Sequence, residues 1–172
     1  MLRFALAAAL ALAATPTFAL SLASTDVTDG QPFATKFICP KQGGDSVSPA
    51  LSWSDLPAGT GSIALTMFDS DANVWHWLAV DLPPATTSLA QGAASASGTL
   101  PAGAMNLKNT HGNLAYDGPC PPAGKPHHYH ITVYALPDAK APVTADMKPA
   151  DAGAAIAKSA LAKAEITPVY PR

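Results

Sequence analysis

The chain has few cationic side chains and no cluster of them. Lys and Arg together number 10, against 12 Asp and Glu, in a chain of 172 residues with a formal net charge of −2. Binding to a phosphate backbone needs several clustered cations, so the sequence argues against nucleic acid as a partner. Aromatic residues make up only 7% of the chain, which together with its length predicts one domain with a modest core.

Long apolar runs are absent except near the N-terminus. An apolar run follows Arg3, and Pro16 precedes a small-x-small sequence that ends at Ala19. The run is well short of the ~20 residues that a bilayer span needs, so the sequence predicts no transmembrane segment. The pattern predicts a signal peptide over residues 1–19, cleaved after Ala19, a single mature domain over residues 20–172, and a periplasmic or secreted location.

Cysteine is scarce as well. Cys39 and Cys120 are the two cysteines of the chain, and an even number in an oxidising compartment favours a disulfide. The alternatives are two buried thiols or a pair of metal ligands. The two cysteines lack a CxxC spacing, which argues against a metal, and the sequence predicts no cofactor.

Much of the remaining sequence has the two-residue period in side-chain character that is typical of β-strands. Residues 62–69 alternate, and Asp69 ends the face that carries their larger aliphatic side chains. Residues 74–82 are apolar on both faces, which is typical of a strand buried between layers. Strict alternation in that strand places His76 on the same face as Leu78.

The last predicted strand begins in a histidine-rich segment, HHYHITVYA, at residues 127–135. Its odd-numbered residues form the more apolar face, which is expected to point into the core. This orientation turns His127 and Tyr129 inward and His128 and His130 outward.

The remaining segments carry weaker signals. Residues 83–103 are rich in Pro, Ala, Ser, Thr and Gly without periodicity, and are interpreted as a long surface loop. Residues 151–163 predict a helix with Asp151 as its N-cap. Strands do not alternate with helices, which argues against a doubly wound parallel sheet.

Three apolar strand faces each end in polar side chains. Asp69 ends one face, His76 another, and the pair His127 and Tyr129 the third. A Pro- and Gly-rich loop, residues 116–126, leads into the strand that carries the pair. Polar groups that converge on an apolar cleft are typical of a small-ligand site.

Two motifs carry a family resemblance. DSDANVWHW, with an acidic DxDA element followed by a His-Trp pair, and GPCPPAGKPHHY, with a PPxG-to-HxY element, resemble the signature motifs of the phosphatidylethanolamine-binding protein family. SPALSW adds to a similarity with its bacterial Raf-kinase-inhibitor-like branch. The resemblance extends from about Cys39 to Tyr170. Ser70 and Asn73 stand where the family usually has proline, which loosens that turn.

The resemblance implies a mostly β fold, a β-sandwich with a few short peripheral helices, and a small pocket for phosphate or phosphoryl head groups. It also implies that a Cys39–Cys120 disulfide pins the pocket loop. The pocket positions carried over are Asp69, His76, Gly118, Cys120, Pro121, Pro122, His127 and Tyr129.

The function expected from these features is that of a non-enzymatic periplasmic binding or regulatory protein for a small anionic ligand. One alternative is an inhibitor of a peptidase or kinase-type partner, and another is a hydrolase that uses Asp69, His76 and His127. Neither a monomer nor a homodimer is favoured. Imidazole, hydroxyl and loop N–H donors predict anion binding that strengthens below about pH 6.5, the unperturbed pKa of histidine.

Overall fold

Two antiparallel sheets and one α-helix form the structure, a computed structural model that describes residues 19–171. The predicted signal peptide therefore lies outside the described residues except for Ala19. The strands within this range are β1 (Ser21–Ala23), β2 (Leu51–Ser54), β3 (Ser62–Asp69), β4 (Val74–Leu82), β5 (Ser88–Leu89), β6 (Met105–Asn106), β7 (His127–Leu136), β8 (Ala162–Ile166) and β9 (Val169–Tyr170), and the helix is α1 (Pro149–Ser159).

The main core lies between the two sheets. Strands β1, β2 and β5 form the smaller sheet, and the larger sheet has the order β6-β4-β3-β7-β8, with β9 paired to β7. Trp53 and Leu89 of the smaller sheet share one buried cluster with Leu65, Ile131 and Val133 of the larger sheet. The predicted mostly β sandwich is confirmed, and so are the predicted inward faces of β3 and β7.

Helix α1 covers the outer face of the larger sheet. Ile156 is fully buried there in a second apolar cluster, and Gly153 leaves room for the Trp75 ring, which a Cβ at that position would overlap. No helix among residues 19–171 is both long and apolar enough to cross a membrane.

The helix boundaries differ from the predicted ones. The helix starts at Pro149 with Lys148 at the N-cap, so Asp151 is not the cap but lies in the first turn, where its charge suits the helix dipole. The helix ends at Ser159, because the next residues pair with β7 as strand β8. Tertiary pairing here overrides the local preference for helix.

Residues 83–103 are not the structureless loop that was predicted. Ser88–Leu89 form strand β5 and pair with β2, and Leu89 and Ala94 are buried. A strand of two residues is too short for alternation to reveal, so its existence depends on the partner strand.

A β-bulge changes the orientation of β4. Met67 pairs with Trp77 while Phe68 pairs with Trp75, so His76 is the extra residue between the two pairs. Trp77 therefore lies in the main core, whereas Trp75 and Leu78 pack on the helix side. The prediction that His76 shares a face with Leu78 is wrong, since a bulge breaks strict alternation.

Candidate functional site

The central strands of the larger sheet bring four of the predicted residues to one end of the sheet. Asp69, the last residue of β3, lies opposite Tyr129 of β7, and His127 is two residues away on the same face. The bulged residue His76 of β4 completes the group. We call Asp69, His76, His127 and Tyr129 the strand-end cluster.

Asp69 makes hydrogen bonds both within the strand-end cluster and to the turn after β3. The residue is 2% exposed. One carboxylate oxygen accepts the backbone N–H groups of Asp71 and Ala72, at 2.9 and 3.1 Å, and the other accepts from His127 Nδ1 at 2.7 Å. Asp69 thus shapes the turn after β3 and orients the His127 ring.

His76 is held by the backbone of a loop. Its Nδ1 donates to the carbonyl oxygen of Asp117 at 3.1 Å, and the Asp117 N–H donates back to the His76 carbonyl at 3.1 Å. Burial lowers the pKa of His76 to about 4, against the opposing charges of Asp69 and Asp117. His76 is therefore neutral at pH 6.5, where sequence reasoning expected it to begin taking up charge.

Tyr129 lies between the two histidines. Its ring centroid is 5.4 Å from that of His76 and 6.5 Å from that of His127, and Phe33 contacts it edge-on. The hydroxyl is buried, and no hydrogen bond of good geometry reaches it among the described residues, although the Asp69 carboxylate lies close enough to act on it. Burial, followed by the Asp69 charge, raises the pKa of this hydroxyl well above its ordinary value, so it remains a potential donor.

The loop at residues 118–122 is pinned as predicted. Cys39 and Cys120 form a disulfide with a Cα–Cα distance of 5.4 Å, and the Cys39 N–H donates to the Pro119 carbonyl at 3.0 Å. Gly118 leaves room for the backbone of residues 37–39, since a Cβ there would lie 2.5 Å from the Phe37 oxygen.

Few backbone N–H groups in this loop are free to meet a ligand. The Gly118 N–H donates to Ser46 Oγ at 3.1 Å, and Pro121 and Pro122 have no N–H. The Cys120 N–H is the one in residues 118–122 that remains without a partner. Residues 118–122 therefore offer one backbone donor, so any further donors must come from the rest of the loop, residues 123–125.

The loop lines a cavity that reaches Asp117 and His111, the neighbours of His76, but none of the strand-end cluster itself. The cavity has a volume of about 710 Å³. Its lining comprises Cys39, Pro40, Lys41, Gln42, Ser46, His111, Asn113, Asp117, Gly118, Cys120, Pro121 and Pro122. The eight predicted positions thus divide into a strand-end group and a loop group, and the bonds between His76 and Asp117 join the two.

Sequence reasoning missed His111 and Asp117. The Asp117 carboxylate accepts from His111 Nδ1 at 3.1 Å and also from the amides of Asn109 and Asn113, and the His111 ring centroid is 5.9 Å from that of His76. Both residues lie in irregular loop, where no periodicity signals which way a side chain points.

Asp71, the second acid of the DSDA motif, was also missed. It accepts from the backbone N–H and ring of His128 and pairs with Lys125. The His128 hydrogen bonds hold the pKa of the Asp71 carboxyl well below its usual range. His128 and His130 point outward, as predicted, and His130 pairs with Glu165 at 2.8 Å.

The chain is a compact antiparallel β-sandwich protein. Imidazoles and a buried tyrosine form a polar site at the end of its larger sheet. Residues 23–171 match the family described as Phosphatidylethanolamine-binding protein. The chain belongs to the phosphatidylethanolamine-binding protein family.

Its relatives include bacterial proteins of similar size. YbcL of Escherichia coli is 39% identical over 160 residues, covering 88% of this chain and 87% of that protein, and YbhB of the same organism is 36% identical over 157 residues, covering 88% and 99%. The crystal structure of YbcL, described as a new member of the mammalian PEBP family, matches with a TM-score of 0.83 and 37% identity, covering 89% of this chain and 98% of that one. The putative lipoprotein LppC of Mycobacterium tuberculosis is 39% identical over 122 residues, covering 69% and 56%.

Proposed function

We propose that the protein is a non-enzymatic binding or regulatory protein outside the cytoplasm, and that the strand-end cluster captures a small oxyanion such as phosphate or a phosphoryl head group. The observation that carries the proposal is a set of unused polar atoms at one point. The Nε2 atoms of His76 and His127 have no hydrogen-bond partner among residues 19–171 and are not fully covered. The Tyr129 ring, whose hydroxyl has no partner there either, lies near both imidazoles.

Binding is favoured over hydrolysis by what surrounds the serine nearest to the cluster. Ser70 Oγ lies 3.2 Å from His130 Nε2, and His130 Nδ1 lies 2.8 Å from Glu165, an arrangement like that of a catalytic triad. However, the N–H groups of residues 70–72 already donate to His128 and Asp69. That turn therefore has no donors left for an oxyanion intermediate.

The proposed location is supported by two observations. Disulfides such as Cys39–Cys120 persist in oxidising compartments, and the relative LppC carries the name of a putative lipoprotein. The N-terminal sequence pattern agrees with export. Detection of the mature chain beginning at Leu20 in a periplasmic fraction tests this part of the proposal.

Calorimetric titration with inorganic phosphate tests the site. His127→Ala removes an inward imidazole, and His128→Ala removes its outward neighbour on the same strand, which makes it a matched control. We expect phosphate binding that His127→Ala weakens by at least about tenfold, since a hydrogen bond to a charged group contributes about 1.5 to 3 kcal/mol, and that His128→Ala leaves unchanged. Equal affinity in both variants would place the anion elsewhere.

A further inference from the structure

Three imidazoles around the candidate site are held in the same way. Nδ1 of His76 bonds to the Asp117 carbonyl, Nδ1 of His127 to the Asp69 carboxylate, and Nδ1 of His111 to the Asp117 carboxylate. Carbonyl and ionised carboxylate oxygens only accept hydrogen bonds, so each Nδ1 must be the donor. The hydrogen-bond network thus assigns the ring proton to Nδ1 in all three histidines.

Where the ring is neutral, as at His76, this assignment determines what Nε2 offers a ligand. A neutral imidazole with its proton on Nδ1 carries a lone pair on Nε2, which accepts hydrogen bonds and cannot donate them. His76 is the clearest case, because it is only 3% exposed and its Nδ1 partner is an uncharged carbonyl. Nε2 of His76 therefore acts as a hydrogen-bond acceptor until the ring takes up a second proton.

The surroundings of His76 resist that second proton. The charged or titratable groups that face it are Asp69 at the end of β3, Tyr129 on β7, and His111 and Asp117 in the loop after β6. Burial outweighs the two carboxylates and holds the pKa of His76 at about 4. Near pH 7 roughly one molecule in a thousand carries a doubly protonated His76 ring.

We infer that the site selects oxyanions that still carry a proton, whose O–H donates to Nε2 of His76 while another ligand oxygen accepts from the Tyr129 hydroxyl. This inference rests on the proposed function. Hydrogen phosphate keeps a proton at neutral pH, and a phosphate monoester keeps one only in the fraction that has not yet passed its second pKa, about 6. Sulfate and the phosphodiester of a phospholipid have no proton left at neutral pH, and their oxygens would face the lone pair of Nε2.

Calorimetry near pH 7 with four ligands tests the selection. Inorganic phosphate and sulfate have the same shape, and phosphoethanolamine and glycerophosphoethanolamine differ in whether the phosphoryl group is a monoester or a diester. We expect phosphate to bind at least about a hundredfold more tightly than sulfate, because a mismatched buried polar pair is strongly rejected. The monoester should bind more tightly than the diester, and more tightly near pH 6 than near pH 7, because more of it then carries a proton. Preferential binding of the diester would point to a lipid head group and overturn the inference.

A substitution tests the role of His76 directly. His76→Gln replaces the acceptor with an amide that can turn its NH₂ toward the ligand, so sulfate affinity should rise and the preference for phosphate should fall at least about tenfold. His130→Gln, on the outward face of β7, is the matched control and should keep the preference. An unchanged preference in His76→Gln would overturn the inference.

The tautomer can be measured without any substitution. Nitrogen-15 NMR of the histidine rings near pH 7 should show His76 and His127 protonated on Nδ1, and a proton on Nε2 of His76 would refute the inference.

The calorimetry also separates the two proposals. Equal binding of phosphate and sulfate leaves the oxyanion site in place and removes only the selection, whereas binding of none of the four ligands removes the proposed function and the inference with it.

Discussion

Replacing Tyr129 with Phe should make the protein more stable and its proposed ligand site weaker. The substitution removes one oxygen and keeps the ring that packs against Phe33 and His76. Tyr129 is 0% exposed, and its oxygen has no partner among the described residues. An unsatisfied buried polar group costs about 1 to 3 kcal/mol, so its removal should raise the free energy of unfolding by about that amount.

The same oxygen is proposed to donate to the bound anion. Losing a hydrogen bond to a charged group costs about 1.5 to 3 kcal/mol, which corresponds to binding weaker by about ten- to a hundredfold. The oxygen is inaccessible to solvent, so a ligand reaches it only when a neighbouring group moves. The variant should therefore change stability and affinity in opposite directions.

Tyr116→Phe is the matched control. The Tyr116 hydroxyl is equally buried but donates to the Phe37 carbonyl at 3.0 Å, so this variant should lose about 1 kcal/mol. Urea unfolding measures stability and phosphate titration measures affinity. The reasoning is refuted if Tyr129→Phe is destabilised as much as Tyr116→Phe, or if it binds phosphate as tightly as the unmodified protein.

Two further predictions concern stability. Because burial lowers the pKa of His76 from 6.5 to about 4, the unfolded chain takes up its proton first, and the free energy of unfolding should fall by about 3 kcal/mol between pH 6.5 and pH 4. Urea unfolding at several pH values should show a smaller fall in the free energy of unfolding for His76→Gln. An equal fall in both proteins would contradict the effect of burial on the pKa of His76. Cys39 and Cys120 are 81 residues apart, so replacing both with Ala should lower the free energy of unfolding by about 4 kcal/mol, and equal urea midpoints would show that the crosslink does not constrain the unfolded chain.

Much of the site follows from local sequence patterns. Alternation along β3 and β7 places Asp69, His127 and Tyr129 on inward faces, because the period of a strand depends only on its own backbone. The cysteine count, in a chain with a predicted signal peptide, favours the Cys39–Cys120 disulfide that the structure contains. The two motifs identify the family because each is a continuous segment of the sequence.

The tertiary structure alone decides the rest. His76 turns toward Tyr129 because β4 carries one residue more than its partner strand at that point, and a bulge exists only between two paired strands. Asp117 meets His76 and His111 through the path of an irregular loop. The sequence by itself determines which polar residues reach the end of the sheet, whereas pairing and loop packing determine which ring nitrogen each histidine presents to a ligand.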